Sequence, residues 1–225
     1  KDHEDLLAHL AMFSVRSIGC PDAGLWEARN GWQEHTFTNL MSWAGLERLE
    51  RIQKLGFLEN IPVDLNKERK RAEVAIEQAA KNGSLRNGPK DESFDAALSL
   101  LSVLRYPQTA IASATLDEIL RTLSADDGSG GFYFRYIRKD DFGTPLAGFV
   151  VCSFWIAQAL ANLGRKSEAQ AVLAKAIRAS NTLGLYSEHY LPKTSEQLGN
   201  FPQAYSHVGL INAAFAVSPP WTEVL

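Results

Sequence analysis

Apolar residues return every three or four positions along almost the whole chain, and a chain patterned that way buries them by packing helices. Leu6, Leu7, Leu10, Phe13 and Val15 mark a first helix that ends near Gly19. Phe37, Leu40, Met41, Ala44, Leu49, Ile52 and Leu55 mark a longer one, stopped by Gly56. A highly charged helix is expected from about Asn66 to Lys81, with Gly83 beyond it. Phe94, Ala97, Leu98, Leu101 and Leu104 predict another, halted before Pro107. Thr115 with Glu118 reads as a capping box ahead of Leu116, Ile119, Leu120 and Leu123. Ser167 with Gln170 repeats that start signal for a helix reaching about Ser180. An apolar helix is expected near 147–163, and a last one from about Pro202 to Val217, before Pro219-Pro220. The expectation is an all-α single domain over residues 1–225, with about eight helices and one short strand-like segment near 132–137 (Phe132-Tyr133-Phe134-Arg135-Tyr136-Ile137).

Charge and composition narrow the function classes. With 23 Lys and Arg against 26 Asp and Glu the net charge is −3, which argues against nucleic acid or a membrane surface as partner. Hydrophobic residues at 45% and charged residues at 22% exclude a disordered chain. Cys20 and Cys152 are too few for a disulfide scaffold or a four-ligand zinc site, and two buried thiols are expected rather than a bridge. No run approaches the roughly 18 apolar residues that span a bilayer. The opening Lys1-Asp2-His3-Glu4-Asp5 is not a signal peptide, and the missing initiator Met suggests that a leader or a larger portion has been removed. These features together favour the cytoplasm.

Several motifs fail. The five histidines, at positions 3, 9, 35, 189 and 207, form no metal pattern. Asp126-Asp127-Gly128 would need Glu at the twelfth calcium-loop position, where Ile137 stands. The glycines after it lack the Gly-Lys-Ser/Thr of a phosphate loop, and no Gly-x-Ser-x-Gly elbow occurs. Lys67–Arg71 contains Glu68 and reads as a solvated helix face.

Three long loops remain, at 19–34, 124–146 and 184–201, and loops of that length in a compact domain are often functional. Two of them set a glutamate among aromatic residues: Leu25-Trp26-Glu27 and Leu185-Tyr186-Ser187-Glu188-His189-Tyr190. A carboxyl group beside an indole, with little water, has its charged form disfavoured and suits proton donation. A second, ionised carboxylate can activate water, and the two together are the apparatus of glycoside hydrolysis. Either glutamate alone could equally be a surface residue or a helix-cap partner, and sequence separation gives no distance between them.

The motifs themselves resemble a known family. Leu25-Trp26-Glu27-x-Arg29 followed by Phe37-Thr38-x-x-Met41-x-Trp43 is similar to glycoside hydrolase family 15, the glucoamylase and trehalase group. So are Phe132–Tyr136 followed by Phe149-Val150-Val151-Cys152-Ser153-Phe154-Trp155, and the run from Gly184 to Glu188 continued by Gln197-Leu198-Gly199-Asn200-Phe201-Pro202-Gln203-Ala204-Tyr205-Ser206-His207. The blocks keep family order and cover nearly the whole chain.

The resemblance implies an (α/α)6 toroid of glucoamylase type, here its C-terminal two-thirds, with about eight of twelve helices. It implies Glu27 as general acid and Glu188 as general base of an inverting exo-hydrolase acting on α-linked glucan or glucose oligosaccharide ends. Inversion would put the two carboxyls roughly 6.5–9.5 Å apart. Trp26 and Tyr205 would flank the terminal sugar; Arg29, Arg135 and Tyr136 would bind its hydroxyls. No cofactor or metal is implied. Asn39 stands where many relatives carry a Lys on the helix after the acid loop. An open ring would expose apolar helix faces and invite self-association or a missing N-terminal portion. The piece alone is then expected to be weak or inactive. Two other readings stand beside this one. A helical-repeat interaction module is suggested by Ala159–Ala169 but lacks recurrence at about 34 residues. A catalytically retired, sugar-sensing toroid is the other.

Overall fold

In the computed structural model, residues 2–29, 31–58, 61–126, 128, 130–140 and 143–224 are described. They fall into two compact units, one up to Glu92 and one from Ser93 onward.

The first unit is built on three helices, α1 (Asp2–Ser17), α2 (Thr36–Lys54) and α3 (Leu65–Glu77), with α2 packed against both others. Helix α2 buries Leu40, Trp43, Ala44, Leu46 and Leu49, and α3 answers with Leu65, Ala72, Ala75 and Ile76. Polar bonds fix the register of the pair: Trp43 Nε1 donates to Glu73 Oε1 at 3.0 Å, and Arg69 bridges Glu50 (2.8 Å) and Glu73 (2.5 Å). Asp64 caps α3 by accepting from the Lys67 N–H at 3.0 Å. The antiparallel pair β1 (Pro21–Asp22) and β2 (Gln33–Glu34) closes the base of the loop that carries Trp26 and Glu27.

Helix α3 stops at Glu77, short of the expected Lys81. Residues 80–81 instead form β3 (Ala80–Lys81), paired with β4 (Ser84–Leu85). The cause is the turn between them. Asn82 and Gly83 both have positive φ, +53° and +80°, the Asn-Gly chemistry of a tight hairpin, which takes the preceding residues out of the helix.

The second unit is organised around α6. A 3₁₀ turn (Ala96–Ser99) runs into the single-turn α4 (Leu100–Val103), then α5 (Thr109–Thr122), α6 (Val150–Asn162), α7 (Lys166–Ala176) with a 3₁₀ end (Ile177–Ala179), α8 (Ala204–Val217) and the short α9 (Trp221–Val224). Helix α6 is apolar all round, and Val150 through Phe154, Ile156, Ala157, Ala159 and Leu160 are buried because α4, α7 and α8 pack on it. Helix α8 meets α6 through small residues: Ser206, Gly209 and Ala213 are buried, and a Cβ on Gly209 would stand 3.1–3.3 Å from Val151 and Phe154 atoms. A three-stranded antiparallel sheet, β5 (Gly148–Phe149), β6 (His189–Leu191) and β7 (Glu196–Leu198), sits where α6 begins.

Two local expectations, at Thr115 and Cys20, are corrected here, and the strand-like segment near 132–137 takes its extended-loop form. Thr115 is not a helix start: α5 begins at Thr109, and the buried Thr115 hydroxyl donates within the helix to the Ile111 carbonyl at 2.7 Å. Residues 132–137 form no ladder; Tyr133 and Tyr136 make isolated bridges to Ser124 and Asp95, so the segment is an extended loop held at single points. Both thiols are free, but Cys20 is exposed while Cys152 is fully buried. No described helix is long and apolar enough to cross a membrane.

Candidate active site

Glu188 stands at the junction of three segments of the second unit, and its main chain is held from both sides. Its N–H donates to the Asn200 carbonyl at 2.9 Å, and its carbonyl accepts from the Val150 N–H, the first residue of α6, at 3.0 Å. The next residue, His189, pairs with Phe149 across β5 and β6. The position of the carboxylate therefore follows from the start of a fully buried helix, although the residue itself sits in a loop.

The side chain is held as firmly. Oε1 accepts from the Tyr205 hydroxyl at 2.8 Å, and Oε2 accepts from the Asn200 N–H (3.1 Å) and Asn200 Nδ2 (3.2 Å). A donor is thus aimed at each oxygen. Gly199 makes the room: a Cβ there would stand 2.6 Å from Glu188 Oε2 and 2.9 Å from His189 Nδ1, and its φ of +77° suits glycine. Burial, and then the bond to Glu188, push the Tyr205 hydroxyl well above its ordinary pKa. Burial also holds the His189 ring below its usual value against the opposing pull of Glu188. His189 Nδ1 lies 3.8 Å from Glu188 Oε2.

Glu188 opens on a cleft of about 550 Å³, within the range of small-ligand sites of roughly 300–1,000 Å³. Arg135 and Asp140 line it, as do the apolar Pro145, Leu146 and Leu198. Arg135 Nη2 donates to Asp140 Oδ2 at 2.6 Å, and the Tyr136 hydroxyl donates to the same oxygen at 2.7 Å. Tyr136 is buried, and burial together with the Asp140 bond raises its pKa to about 12. Phe149 is the shared packing partner, with His189 edge-on at 4.5 Å, Tyr205 stacked at 5.9 Å and the Arg135 guanidinium 5.7 Å from its ring centre.

The other three candidate residues belong to the first unit, in the loop closed by β1 and β2. Gly24 turns this loop with φ +68°, its N–H donating to Asp22 Oδ1 at 2.5 Å, and it lies against the buried His35 ring. The loop closes through Glu27 N–H to Gly24 O (3.2 Å) and Ala28 N–H to Ala23 O (2.8 Å). Glu27 is exposed and has φ +53°, a left-handed conformation uncommon for a residue with a side chain. Trp26 beside it is half-buried and Arg29 is exposed. Asn39 is a structural residue: its Oδ1 accepts from the Gly19 N–H and its Nδ2 donates to Glu34, both at 2.9 Å.

Thus Glu188 and Arg135 line one cleft in the second unit, with Tyr205 bonded to Glu188 and Tyr136 to Asp140 behind that lining, while Glu27, Trp26 and Arg29 share one loop in the first. Sequence reasoning missed Asp140, Phe149, His189, Gly199 and Asn200. All but Asp140 lie inside the motif runs quoted above, so position marked them but their residue types did not. Asp140 carried a weaker signal, a carboxylate five residues after an arginine in an extended loop.

Residues 163–215, which include Glu188 and Tyr205, match the family model described as glycosyl hydrolases family 15. The chain is 32% identical over 205 residues to a trehalase of Mycolicibacterium smegmatis, covering 88% of this chain and 30% of that one. It is 29% identical to trehalase 1 of Sulfolobus acidocaldarius, covering 95% of this chain and 36% of the relative. It is a family 15-like chain. It spans about a third of the length of these curated relatives. A solved structure titled as a wild-type glycosidase superposes with a TM-score of 0.74 at 18% identity, over 92% of this chain and 57% of that one. A mannosylglycerate hydrolase from Thermus thermophilus superposes with a TM-score of 0.52 at 19% identity, over 81% of this chain and 45% of that one. The fold of this family 15-like chain is thus the (α/α)6 glycosidase type, in part.

Proposed function

We propose that this chain serves an inverting glycoside hydrolase and carries its water-activating base, Glu188. The observation that supports this most is the pair of oriented oxygens on Glu188, each met by a donor, on a cleft that Arg135 and Asp140 also line. A carboxylate held in that way can take a proton from water as the water attacks a glycosidic carbon. Glu27 is the general acid in this reading. A left-handed glutamate on a glycine-turned loop is the kind of strained conformation that concentrates at working sites, at a cost of about 1–3 kcal/mol. In the second unit Tyr205 flanks the sugar and Arg135 binds its hydroxyls through a planar fork of donors, while Trp26 and Arg29 share the loop of Glu27 in the first. Tyr136 serves by holding Asp140.

The substrate class is an α-linked glucoside attacked at its end, either an oligosaccharide of α-glucan or the disaccharide trehalose. The names of the curated relatives favour trehalose. The test is Glu188→Gln and Glu27→Gln in the full chain, assayed for glucose release from trehalose, maltose and isomaltose, with the first-formed anomer read by NMR. Each substitution is expected to lower kcat by roughly 10²–10⁴-fold while glucose binding persists, and the wild type should release each attacked glucose as the β-anomer, on trehalose together with one α-glucose from the leaving half. Undiminished turnover in either variant, or trehalose giving α-glucose alone as its first product, would refute the assignment.

A further inference from the structure

Asp140 lies where the cleft of the second unit meets a ladder of alternating charge. Its Oδ2 accepts from both Arg135 Nη2 and the Tyr136 hydroxyl. Its main chain closes a tight turn with Gly143, each N–H donating to the other's carbonyl at 3.0 and 3.1 Å, so the carboxylate is offered from a fixed base. Behind Tyr136, the Arg138 guanidinium lies 3.8 Å from the ring centre, and its Nη2 is 3.6 Å from Asp95 Oδ2. Asp95 accepts from the Ala97 N–H at 2.9 Å at the head of the 3₁₀ turn and bridges to Tyr136 through its backbone. The ladder therefore runs from the cleft wall, through Arg135 and Tyr136, to the buried Asp95.

A guanidinium is a rigid planar fork, so fixing one edge fixes where the rest of it points. Arg135 is fixed at one edge by Asp140 and lies 4.8 Å and 5.7 Å from the ring centres of Tyr136 and Phe149. Both partners of the ion pair are 20% exposed, which leaves their attraction only partly screened by solvent. With Asp140 gone, the rings would still touch the guanidinium, but the 2.6 Å bond that fixes this edge of it would be lost. The same oxygen orients the Tyr136 hydroxyl, so one carboxylate sets two groups at once.

We propose that Asp140 is a positioning residue of this cleft, holding Arg135 in the orientation in which it meets the hydroxyls of the bound sugar. The proposal rests on the glycosidase reading above. Asp140 acts through Arg135, and its loss weakens substrate capture more than it slows the chemical step. Once Arg135 is absent, Asp140 still orients the Tyr136 hydroxyl but has no sugar-binding group left to position.

The experiment is a double-mutant cycle in the full chain: Asp140→Asn, Arg135→Ala and the pair together. Kinetics on trehalose, glucose binding by calorimetry and melting temperature are read in parallel. Asp140→Asn is expected to raise KM about tenfold with kcat within about threefold, and the double variant to be no worse than Arg135→Ala. Independent, multiplying effects on KM would overturn the proposal, as would an unchanged KM in Asp140→Asn. Should Asp140→Asn fail to fold, Arg135→Lys keeps the charge without the fork. It is expected to raise KM as Arg135→Ala does, and a wild-type KM there also overturns the proposal. A wild type inactive on every α-glucoside defeats the glycosidase reading instead. The glucose-binding cycle then decides alone, and absence of coupling or of glucose binding overturns the role of Asp140.

Discussion

One added carbon at Gly199 tests whether Glu188 is where the reaction happens. The Cβ of Gly199→Ala would stand 2.6 Å from Glu188 Oε2 and 3.1 Å from Glu188 Cβ, so the carboxylate must retreat by about 0.8 Å to reach the 3.4 Å of ordinary contact. That retreat pulls against its bonds to Asn200 and Tyr205. A misplacement of about 1 Å in a catalytic group can cost 10²-fold, so a shift of this size predicts a fall in kcat of roughly thirtyfold. The backbone contributes separately: alanine at φ +77° costs about 1–2 kcal/mol, a drop in Tm of roughly 2–8 °C for a chain of this size. Gly184→Ala separates the two effects. Gly184 has φ +76° and nothing within 4 Å of its would-be Cβ, so it carries the same backbone strain without the clash. The assay is kcat on trehalose beside a thermal melt for both variants. Comparable melting losses with activity lost only in Gly199→Ala is the expected pattern. Equal activity in the two would refute the placement of Glu188 as base.

Other consequences follow from the same contacts. Tyr205→Phe removes the hydroxyl that donates to Glu188, a bond to a charged acceptor; Tyr205 is 39% exposed, so the low end of that class, about 1.5 kcal/mol, predicts roughly a tenfold fall in kcat. An unchanged kcat in Tyr205→Phe would count against the bond. In the first unit the Glu50 carboxyl is held down to about 2, chiefly by Lys54 and also by Arg69 and Asn66, against the opposing effect of burial. A depressed carboxyl contributes stability that is complete above its ordinary value of 4.5 and lost as pH falls toward 2. The Tm gap between wild type and Glu50→Gln should therefore narrow between pH 7 and pH 2.5, and a constant gap would contradict the assignment. Iodoacetamide should alkylate Cys20 in the native chain and reach Cys152 only on unfolding, as mass spectrometry would show; native labelling of Cys152 would mean that α6 opens locally.

Helical periodicity made the long elements legible. The stripes through Leu40, Leu49 and Leu160 are core faces, and α2, α6 and α8 lie within a few residues of where the pattern puts them. What failed were local signals that another interaction outbids. Thr115 and Glu118 have capping-box spacing, yet the helix had already begun after Pro107, and the hydroxyl turned to bond its own helix. Asn82-Gly83 outweighed the helical propensity of residues 78–81 because two adjacent positive-φ residues fix a hairpin. Phe132–Ile137 has strand composition, but the segment finds single bridging partners rather than a neighbouring strand. At the site, Glu188, Arg135 and Tyr205 were readable from their motifs. Asn200 and Gly199 were not readable as functional, since one acts through its backbone and amide N–H groups and the other by lacking a side chain. Neither kind of contribution has a residue-type signature.

The architecture also explains why a loop-borne carboxylate can be held closely enough for catalysis. Each segment reaching the cleft is tied to the beginning of α6 and not merely to its neighbours. Phe149 N–H donates to the Tyr133 carbonyl, Val150 N–H donates to the Glu188 carbonyl, and Glu188 N–H donates to the Asn200 carbonyl, all within 2.8–3.0 Å. Helix α6 has little room to accommodate an error in these ties, because Val151 and Phe154 are packed against Gly209 and nine of its residues are buried. A change that moves α6 thus moves Arg135, Glu188 and Tyr205 together and leaves their mutual geometry intact, whereas a change at Phe149, whose ring touches Arg135, His189 and Tyr205, alters that geometry directly. Phe149→Leu keeps an apolar residue of similar reach but removes the flat surface. By this logic it should weaken glucose binding and slow turnover together, while a core change such as Ile156→Val, at about 0.5–1.5 kcal/mol, lowers Tm and leaves both kinetic constants in place. Loss of turnover in Ile156→Val at a temperature where it remains folded would show that the segments are not carried as one body.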